Sequence, residues 1–296
     1  MKKVLVTGAN GYIGRYVVRA LLDIGCKVVA VDLCKDGIDS RAEYLDYDIF
    51  SADENIYNTL GRPDVLVHLA WKDGFVHNSF SHLEYLPKHY DFIEKMVDGG
   101  LKHLSVMGSM HEVGYIEGAI DENSPTNPKS LYGISKNALR QSLEVMAASR
   151  SLVFQWLRGF YIYGDDKRSN SVFAKLLQKA EAGEKTFPFT TGKNQFDFIE
   201  VSDLALQIAL ASTQESVIGI INCCSGRPVS LGDRVEEFIR EKKLEIRLEY
   251  GAYPDRAYDS PVIYGDCTKI RNILEQSLEN EWIQQEAVNK LLNKIG

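Results

Sequence analysis

The sequence predicts an α/β protein built on a doubly wound parallel sheet, with a smaller α/β unit attached. Three observations support this fold class. Short apolar runs alternate with segments of helical periodicity through the first part of the chain. Residues 2–32 contain a complete strand, helix and strand unit, and a connection that carries a helix favours a parallel pair. After Gly164 the alternation gives way to shorter and less regular elements.

The first unit is defined by its apolar pattern. Residues 2–7 form a short apolar run that ends at a glycine, which predicts a buried strand. Residues 12–24 carry apolar side chains at the spacing of one helix face, and Gly25 follows as a stop signal. Residues 27–32 are a second apolar run. Together they predict a strand, a helix and a parallel strand.

The later elements follow from the same two patterns. Further strands are predicted at 65–70, 101–107, 152–157 and 187–191. Further helices are predicted at 91–97, 130–149, 172–182, 203–211, 231–241 and 268–274. The polar stretch 165–170 predicts a loop.

Composition excludes several classes of protein. The chain has 296 residues, 45% apolar and 25% charged, as in an ordinary globular protein of about two domains at about 150 residues each. The net charge of -7 disfavours nucleic acid as a partner, because phosphate binding needs a basic face. The five cysteines lack zinc-site spacing, and no apolar run reaches the ~18 residues of a membrane span. We expect a cytoplasmic protein without a metal site or membrane partner.

A glycine-rich loop joins the first predicted strand to the first helix. Gly8, Gly11 and Gly14 recur at spacing three, and glycine there allows a tight turn and a close approach of the backbone to a diphosphate. Asp32 ends the second strand, where a carboxylate accepts hydrogen bonds from an adenosine ribose. An ordinary turn and a strand-end cap are the alternatives. The context predicts a dinucleotide site on a Rossmann-type sheet. Asp32 favours NAD over NADP, although Lys35 nearby weakens that preference.

The predicted domain division follows from this site. A dinucleotide-binding domain is expected at 1–165, with 197–218 returning to it. Residues 166–196 and 219–296 are expected to form mainly a substrate-binding domain.

A tyrosine and a lysine lie four residues apart at the start of the long helix predicted at 130–149. Tyr132 and Lys136 share one helix face, and an ammonium near a phenol lowers the phenol pKa towards the range of a general acid or base. Tyr163 and Lys167 have the same spacing, but a turn signal follows Tyr163. Ser109 follows a predicted strand, at the sheet edge where ligands bind.

In combination these residues resemble the extended short-chain dehydrogenases/reductases, and among them the NAD-dependent epimerase/dehydratase family that modifies nucleotide sugars. The matching segments are 7–14 (TGxxGxxG), Asp48-Ile49, the HxA motif at 68–70, 157–164 (LRxxxxYG), 192–205 (G…RDFxxVxDxA) and Asn222 with Gly226 (NxxxG). The resemblance implies cofactor contacts from Gly8, Asn10, Gly11, Tyr12, Ile13, Gly14, Asp32, Leu33, Asp48, Ile49, Leu69, Ala70, Tyr132, Lys136 and Phe160.

The resemblance also implies a mechanism and an assembly. Tyr132 would exchange a proton with a sugar hydroxyl or ketone, and Ser109 would orient the sugar oxygen. Lys136 would lower the Tyr132 pKa and hold the nicotinamide ribose, while hydride passes between the sugar carbon and the nicotinamide. A homodimer would form through a four-helix interface that includes the Tyr132 helix.

Departures from the family pattern bear on the reaction. Family 4,6-dehydratases carry Asp-Glu directly after the hydroxyl residue, where this chain has Met110 and His111, and Glu112 follows one residue late. Dehydration needs a positioned acid and base, so it is disfavoured here. His111 could act as a base, although a loop histidine is the favoured interpretation.

Other departures bear on the substrate. Phe196 stands where many members have an arginine that meets the diphosphate, and Tyr161 stands where UDP-sugar epimerases often have asparagine. Arg256 resembles a second arginine that clamps the diphosphate, with a solvated surface charge as its alternative. Substrate contacts are therefore expected from Ser109, Met110, Tyr161, Phe196 and Arg256.

The favoured function is an NAD-dependent nucleotide-sugar epimerase that oxidises its substrate transiently to a keto sugar. The alternative is an NAD(P)-dependent reductase or dehydrogenase of a nucleotide sugar, including a 4-keto sugar. A 4,6-dehydratase and a non-catalytic dinucleotide-binding regulator are less favoured, since Ser109, Tyr132 and Lys136 are all present.

Overall fold

A computed structural model describes residues 1–164, 171–255, 259–279 and 285–296. The strands are β1 Lys3–Thr7, β2 Lys27–Asp32, β3 Glu43–Asp46, β4 Val65–His68, β5 His103–Ser109, β6 Gly118–Ile120, β7 Val153–Gly159, β8 Tyr161–Tyr163, β9 Thr186–Pro188, β10 Gln195–Glu200, β11 Gly219–Cys223, β12 Pro228–Ser230, β13 Arg247–Glu249 and β14 Val262–Gly265. The helices are α1 Gly14–Asp23, α2 Ile56–Thr59, α3 Ser81–Gly99, α4 Leu131–Arg150, α5 Val172–Glu181, α6 Val201–Thr213, α7 Leu231–Glu241, α8 Thr268–Ser277 and α9 Gln285–Lys294, with a 3-10 turn at Met110–Glu112.

The main sheet has seven parallel strands in the order β11-β7-β5-β4-β1-β2-β3. Its strands are buried on both faces: Val4 and Val6 of β1 belong to one core cluster and Leu5 belongs to the other. Strands β2 and β3 lie on one side of β1, and the chain then crosses to β4 on the other side of β1. Ligands in such sheets bind at this switch point, beyond the carboxyl ends of the strands. The predicted doubly wound fold is confirmed.

A second, smaller set of strands is interleaved with the main-sheet strands along the chain. Strands β12, β10, β14 and β6 form a sheet in that order, and β8 also pairs with β10. A separate pair joins β13 to β9. The predicted division into 1–165 with 197–218, and 166–196 with 219–296, remains a prediction. Strand β11, which follows position 218, pairs with β7 in the main sheet.

The structure extends one predicted helix past a proline. The helix predicted at 91–97 runs through Ser81–Gly99 and contains Pro87. Proline removes one backbone hydrogen bond, but burial of His82 before it and of Phe92 and Ile93 after it stabilises the helix on both sides. Throughout the described ranges, no helix is long and apolar enough to cross a membrane.

Candidate active site

A cleft of about 1460 Å³ lies at the carboxyl ends of the central strands and extends towards the second sheet. It contains most of the predicted site residues: Gly8, Gly11, Tyr12, Ile13, Gly14, Asp32, Leu33, Asp48, Ile49, Leu69, Ala70, Ser109, Tyr132, Lys136, Phe160, Tyr161 and Phe196. Asn10 and Met110 do not line it, and Arg256 lies outside the described residues.

The glycine loop fits a diphosphate because its glycines cannot be replaced. Gly8 has φ +66°, and a Cβ there would lie 2.7 Å from the Ala70 nitrogen. A Cβ on Gly14 would lie 2.0 Å from the Gly8 carbonyl oxygen, so helix and loop pack closer than any side chain permits. Helix α1 then begins at Gly14 with no side-chain cap from Ile13. Its first N–H groups form a site of the kind that binds phosphate.

Asp32 is held in place by the loop that it faces. Its carboxylate accepts hydrogen bonds from the Asn10 nitrogen at 3.0 Å and the Leu33 nitrogen at 2.8 Å. The side-chain oxygen Oδ1 of Asn10 is buried and has no hydrogen-bond partner in the described structure. A buried amide oxygen of this kind requires a donor, which a bound ligand or water supplies. The loop, Asp32 and Asn10 together fit a dinucleotide.

Lys136 projects from α4 into the interior at the end of β5. Its Nζ donates a hydrogen bond to the Met107 carbonyl oxygen at 2.8 Å and lies 3.8 Å from the centre of the Trp71 ring. Only 3% of the residue is exposed. Burial lowers the Lys136 pKa to about 7, against the attraction of the Glu112 carboxylate.

Tyr132 lies beside Ser109, as the sequence predicts. The two hydroxyls are hydrogen-bonded, and the Tyr132 ring stacks on His77 with ring centres 5.4 Å apart. Burial raises the Tyr132 pKa to about 12, although the hydrogen bond with Ser109 opposes this shift. The predicted lowering of the Tyr132 pKa by Lys136 is therefore not found in the chain by itself. Desolvation of the phenolate is the largest cause of the shift, and the Glu112 carboxylate adds to it.

The 3-10 turn after Ser109 separates three side chains that the sequence analysis considered together. His111 lines the cleft, whereas Met110 and Glu112 are buried. The structure thus places Met110 in the core rather than against substrate, because the three side chains of a 3-10 turn point in directions about 120° apart. Glu112 accepts hydrogen bonds from Trp156 Nε1 at 2.7 Å and Arg158 Nε at 2.8 Å. Glu112 therefore does not serve as the acid of a dehydration.

The far end of the cleft is apolar. Tyr161 on β8 stacks on Phe196 of β10, with ring centres 4.1 Å apart and an angle of 18° between the rings. Phe198 lies beside both rings, and Phe187 and Phe189 also line this cleft. Among the described residues that line the cleft, the cations are all lysines: Lys72, Lys88, Lys136 and Lys175.

Several cleft residues were not predicted. Trp71 directly follows the strand-end motif 68–70, so extending that motif by one residue would have found it. His77 lies in the loop before α3, where no periodic pattern marks it, and its carbonyl oxygen accepts a hydrogen bond from the Tyr132 nitrogen at 2.8 Å. His77 is brought to Tyr132 by this contact between distant parts of the chain, which a local sequence pattern does not reveal.

Comparison with known proteins gives the relationship. The sequence model of the NAD dependent epimerase/dehydratase family matches residues 4–224. The dTDP-6-deoxy-L-talose 4-dehydrogenase (NAD(+)) of Aggregatibacter actinomycetemcomitans is 44% identical over 88% of this chain and 98% of that protein. A putative UDP-glucose 4-epimerase of Methanocaldococcus jannaschii is 27% identical over 87% of this chain and 86% of that protein.

Solved structures share the fold over nearly the whole chain. MoeE5 in complex with UDP-glucuronic acid and NAD has a TM-score of 0.78 and 27% identity, covering 92% of both chains. A UDP-N-acetylglucosamine 4-epimerase from Methanobrevibacter ruminantium has a TM-score of 0.80 and 21% identity, covering 99% of both chains. The fold, the glycine loop and the Ser109, Tyr132 and Lys136 cluster agree with the sequence match: the chain belongs to the NAD-dependent epimerase/dehydratase family.

Proposed function

We propose that the protein is an NAD-dependent 4-dehydrogenase of a dTDP-linked 6-deoxy sugar, and that it works in either direction. The observation that carries this proposal is the 44% identity to a 4-dehydrogenase over 98% of that enzyme's length. The alternative named from the sequence, a nucleotide-sugar dehydrogenase or reductase, thereby becomes the favoured reaction. NAD dependence agrees with the name of that relative and with the NAD present in complexes of MoeE5.

The chemistry follows from the side chains at the cleft. The 4-hydroxyl of the sugar loses a proton and its C4 loses a hydride, which gives a 4-ketone, NADH and one proton. NAD⁺, when bound, supplies the hydride acceptor. Tyr132 in its phenolate form accepts the hydroxyl proton, and Ser109, hydrogen-bonded to Tyr132, orients the sugar oxygen. Lys136, held by the Met107 carbonyl oxygen, places a positive charge near the phenol.

The apolar end of the cleft supports a 6-deoxy sugar. A 6-deoxy sugar has a methyl group where a hexose has a hydroxymethyl group. The stacked rings of Tyr161 and Phe196 offer an apolar surface to such a methyl group. Burying a methyl group there is favourable, whereas burying an unpartnered hydroxyl is costly.

An epimerase is the second candidate, and the kinship with 4-epimerases supports it. The 27% identical relative is a putative UDP-glucose 4-epimerase. An epimerase uses the same Tyr132 chemistry, but it returns the hydride to the opposite face of the sugar and leaves no net NADH. The two reactions therefore use the same Ser109, Tyr132 and Lys136 cluster, and they differ in whether NADH is released as a net product.

The decisive experiment offers the purified protein dTDP-6-deoxy-L-talose with NAD⁺ and records absorbance at 340 nm. Stoichiometric NADH, with a dTDP-4-keto-6-deoxy sugar as product, is the expected result. UDP-glucose and UDP-galactose are tested in parallel. Their interconversion without NADH, together with NAD(H) retained by the purified protein, would establish the epimerase instead.

Replacing Asp32 by Ala is expected to weaken preference for NAD. The carboxylate would accept hydrogen bonds from an adenosine ribose and would repel a 2′-phosphate. Loss of both effects raises KM for NAD⁺ by about tenfold, the equivalent of one to two hydrogen bonds, and lowers KM for NADP⁺. Initial rates with both cofactors measure this. An unchanged ratio of kcat/KM for NAD⁺ and NADP⁺ would show that Asp32 does not select the cofactor.

We further propose a homodimer, formed through the outer faces of α3 and α4. Val145 is 73% exposed, and Ile134 on α4 and Leu83 on α3 are also exposed apolar residues. Exposed apolar residues on adjacent helices are typical of an interface.

A cytoplasmic location is proposed as well, because all five cysteines are free.

Replacing Val145 by Glu is expected to shift the protein from dimer to monomer, since a charge would be buried at the interface. Light scattering after size-exclusion chromatography measures the mass. Ile218→Glu, which changes an exposed apolar residue outside both helices, is the matched control and should keep the dimer. A V145E protein that remains dimeric would rule out this interface.

A further inference from the structure

The ammonium of Lys136 is buried with little direct compensation. Its Nζ donates a hydrogen bond to the Met107 carbonyl oxygen, and the carboxylate that acts on it electrostatically belongs to Glu112. That carboxylate is already bonded to Arg158 and Trp156. A buried positive charge is costly unless polar groups or π systems face it.

The group that faces Lys136 most closely is the ring of Trp71. The 3.8 Å from Nζ to the ring centre is well within the range of a cation–π interaction, and tryptophan is the strongest partner for it. The ring also lies edge-on to Tyr132, with ring centres 6.1 Å apart. Trp71 thus contacts both members of the tyrosine and lysine pair.

Two histidines of α3 fix the orientation of this ring. His89 stacks on it with ring centres 4.5 Å apart and 9° between the planes. The indole N–H donates to His82 Nδ1 at 3.1 Å. Because an indole nitrogen can only donate, His82 Nδ1 must accept, and its Nε2 then donates to the Val76 carbonyl oxygen at 2.9 Å. The ring is held independently of Lys136.

The other titratable groups around Lys136 add no competing charge. His68 on β4 and His89 are buried, and burial lowers the pKa of His68 to about 3 and that of His89 well below its usual value. Tyr132, with a pKa of about 12, is neutral. The charges in this region are therefore those of Lys136 itself, of the Glu112 carboxylate, and of the Arg158 and Arg140 guanidinium groups beside that carboxylate.

We propose that Trp71 is a positioning residue of the reaction, whose ring face holds the Lys136 ammonium beside Tyr132 in the place that a carboxylate would otherwise fill. The proposal rests on the proposed function only in assigning the proton transfer to Tyr132. A ring is suited to this place because a carboxylate would bind the ammonium more strongly and would also raise the energy of the phenolate.

This arrangement bears directly on the proton that Tyr132 must accept. Moving one proton from Tyr132 to Lys136 turns a neutral pair into a phenolate and an ammonium without changing the number of bound protons. The phenolate form accepts the proton of the substrate. A ring that stabilises the ammonium increases the fraction of this form at every pH between the two pKa values, about 7 and about 12.

The test compares Trp71→Phe and Trp71→Leu in the full chain without cofactor or substrate. Competitive acetylation of lysines over a range of pH, followed by peptide mass spectrometry, gives the Lys136 pKa. We expect that pKa to fall in W71L and to fall less in W71F. Phe75→Leu, an aromatic change elsewhere on the cleft wall, is the control and should leave it in place. A Lys136 pKa that is unchanged in W71L, or equally lowered in both variants, would overturn the proposal.

A second readout uses turnover. W71L should lose about thirtyfold in kcat at neutral pH, with W71F between it and the wild type. If W71L does not fold, as judged by circular dichroism, W71F and His82→Leu replace it. H82L removes the acceptor that holds the indole and should also lower the Lys136 pKa; no shift in either variant would overturn the proposal. The labelling measures the Lys136 pKa without any sugar, so its result tests the role of Trp71 whether or not the proposed substrate is right.

Discussion

Replacing Tyr132 by Phe is expected to reduce kcat by about 10³-fold, within the range for loss of a general acid or base. The change removes the hydroxyl that is hydrogen-bonded to Ser109 and keeps the ring that stacks on His77. Binding of NAD⁺ should be little affected, because the glycine loop and Asp32 are untouched. Steady-state kinetics and fluorescence titration with NADH separate the two effects.

Tyr163 provides a matched control for this substitution. It begins the other tyrosine and lysine pair with the same spacing, but its hydroxyl meets Arg234 Nη1 at 3.4 Å and it does not line the cleft. Tyr163→Phe should therefore retain turnover close to that of the wild type. Equal losses in both variants would point to a general effect on folding. Full activity of Y132F would exclude Tyr132 as the acid or base and would favour a non-catalytic role.

The dependence on pH gives a further check on Tyr132. In the wild type, oxidation needs the phenolate, so kcat rises as the pH approaches the pKa of the tyrosine and lysine pair. The residual oxidation by Y132F should lack that rise, because no phenol remains to lose its proton. A rise preserved in Y132F would place the titrating group elsewhere, and His111 in the cleft would be the next candidate.

The sequence predicted the parts of the site whose geometry is local. The glycine spacing fixes a loop in which Gly8 has positive φ and Gly14 packs against the carbonyl oxygen of Gly8. Tyr132 and Lys136 share a face because helical spacing imposes it. The fold class followed for the same reason, since each strand and helix carries its own apolar period.

The parts that escaped prediction depend on burial and on contacts between distant segments. Trp71 lies in the loop after β4 and Lys136 lies on a helix, and no sequence pattern links them. The pKa of Tyr132 was expected to fall, but the depth of the cleft, which a sequence does not state, reverses the direction. The helix through Pro87 escaped because tertiary packing overrides local propensity.

Glu112 lies one residue after the position that the catalytic glutamate has in family dehydratases, and it forms a buried ion pair instead. Its carboxylate is fully buried, as is the guanidinium of Arg158, and the two are 2.8 Å apart. Arg140 Nε lies 3.9 Å away on α4, the helix that carries Tyr132 and Lys136. Arg158 also donates to the Asp121 carbonyl oxygen, beyond the end of β6. Through Arg158, the buried Glu112–Arg158 pair therefore links β7 of the main sheet to the residues that follow β6.

Replacing Glu112 by Gln is expected to destabilise the protein by about 3–5 kcal/mol, because it leaves the Arg158 charge buried and unpaired. Thermal unfolding should show a fall in Tm of at least about 6 °C. Replacing both partners in an E112M/R158M variant should cost less than the sum of the single changes, since no lone charge remains. If Glu112 were instead the acid of a dehydration, E112Q would lose activity at unchanged Tm. The buried pair argues against that outcome, because a carboxylate that is fully buried and bonded to Arg158 and Trp156 has no access to a substrate.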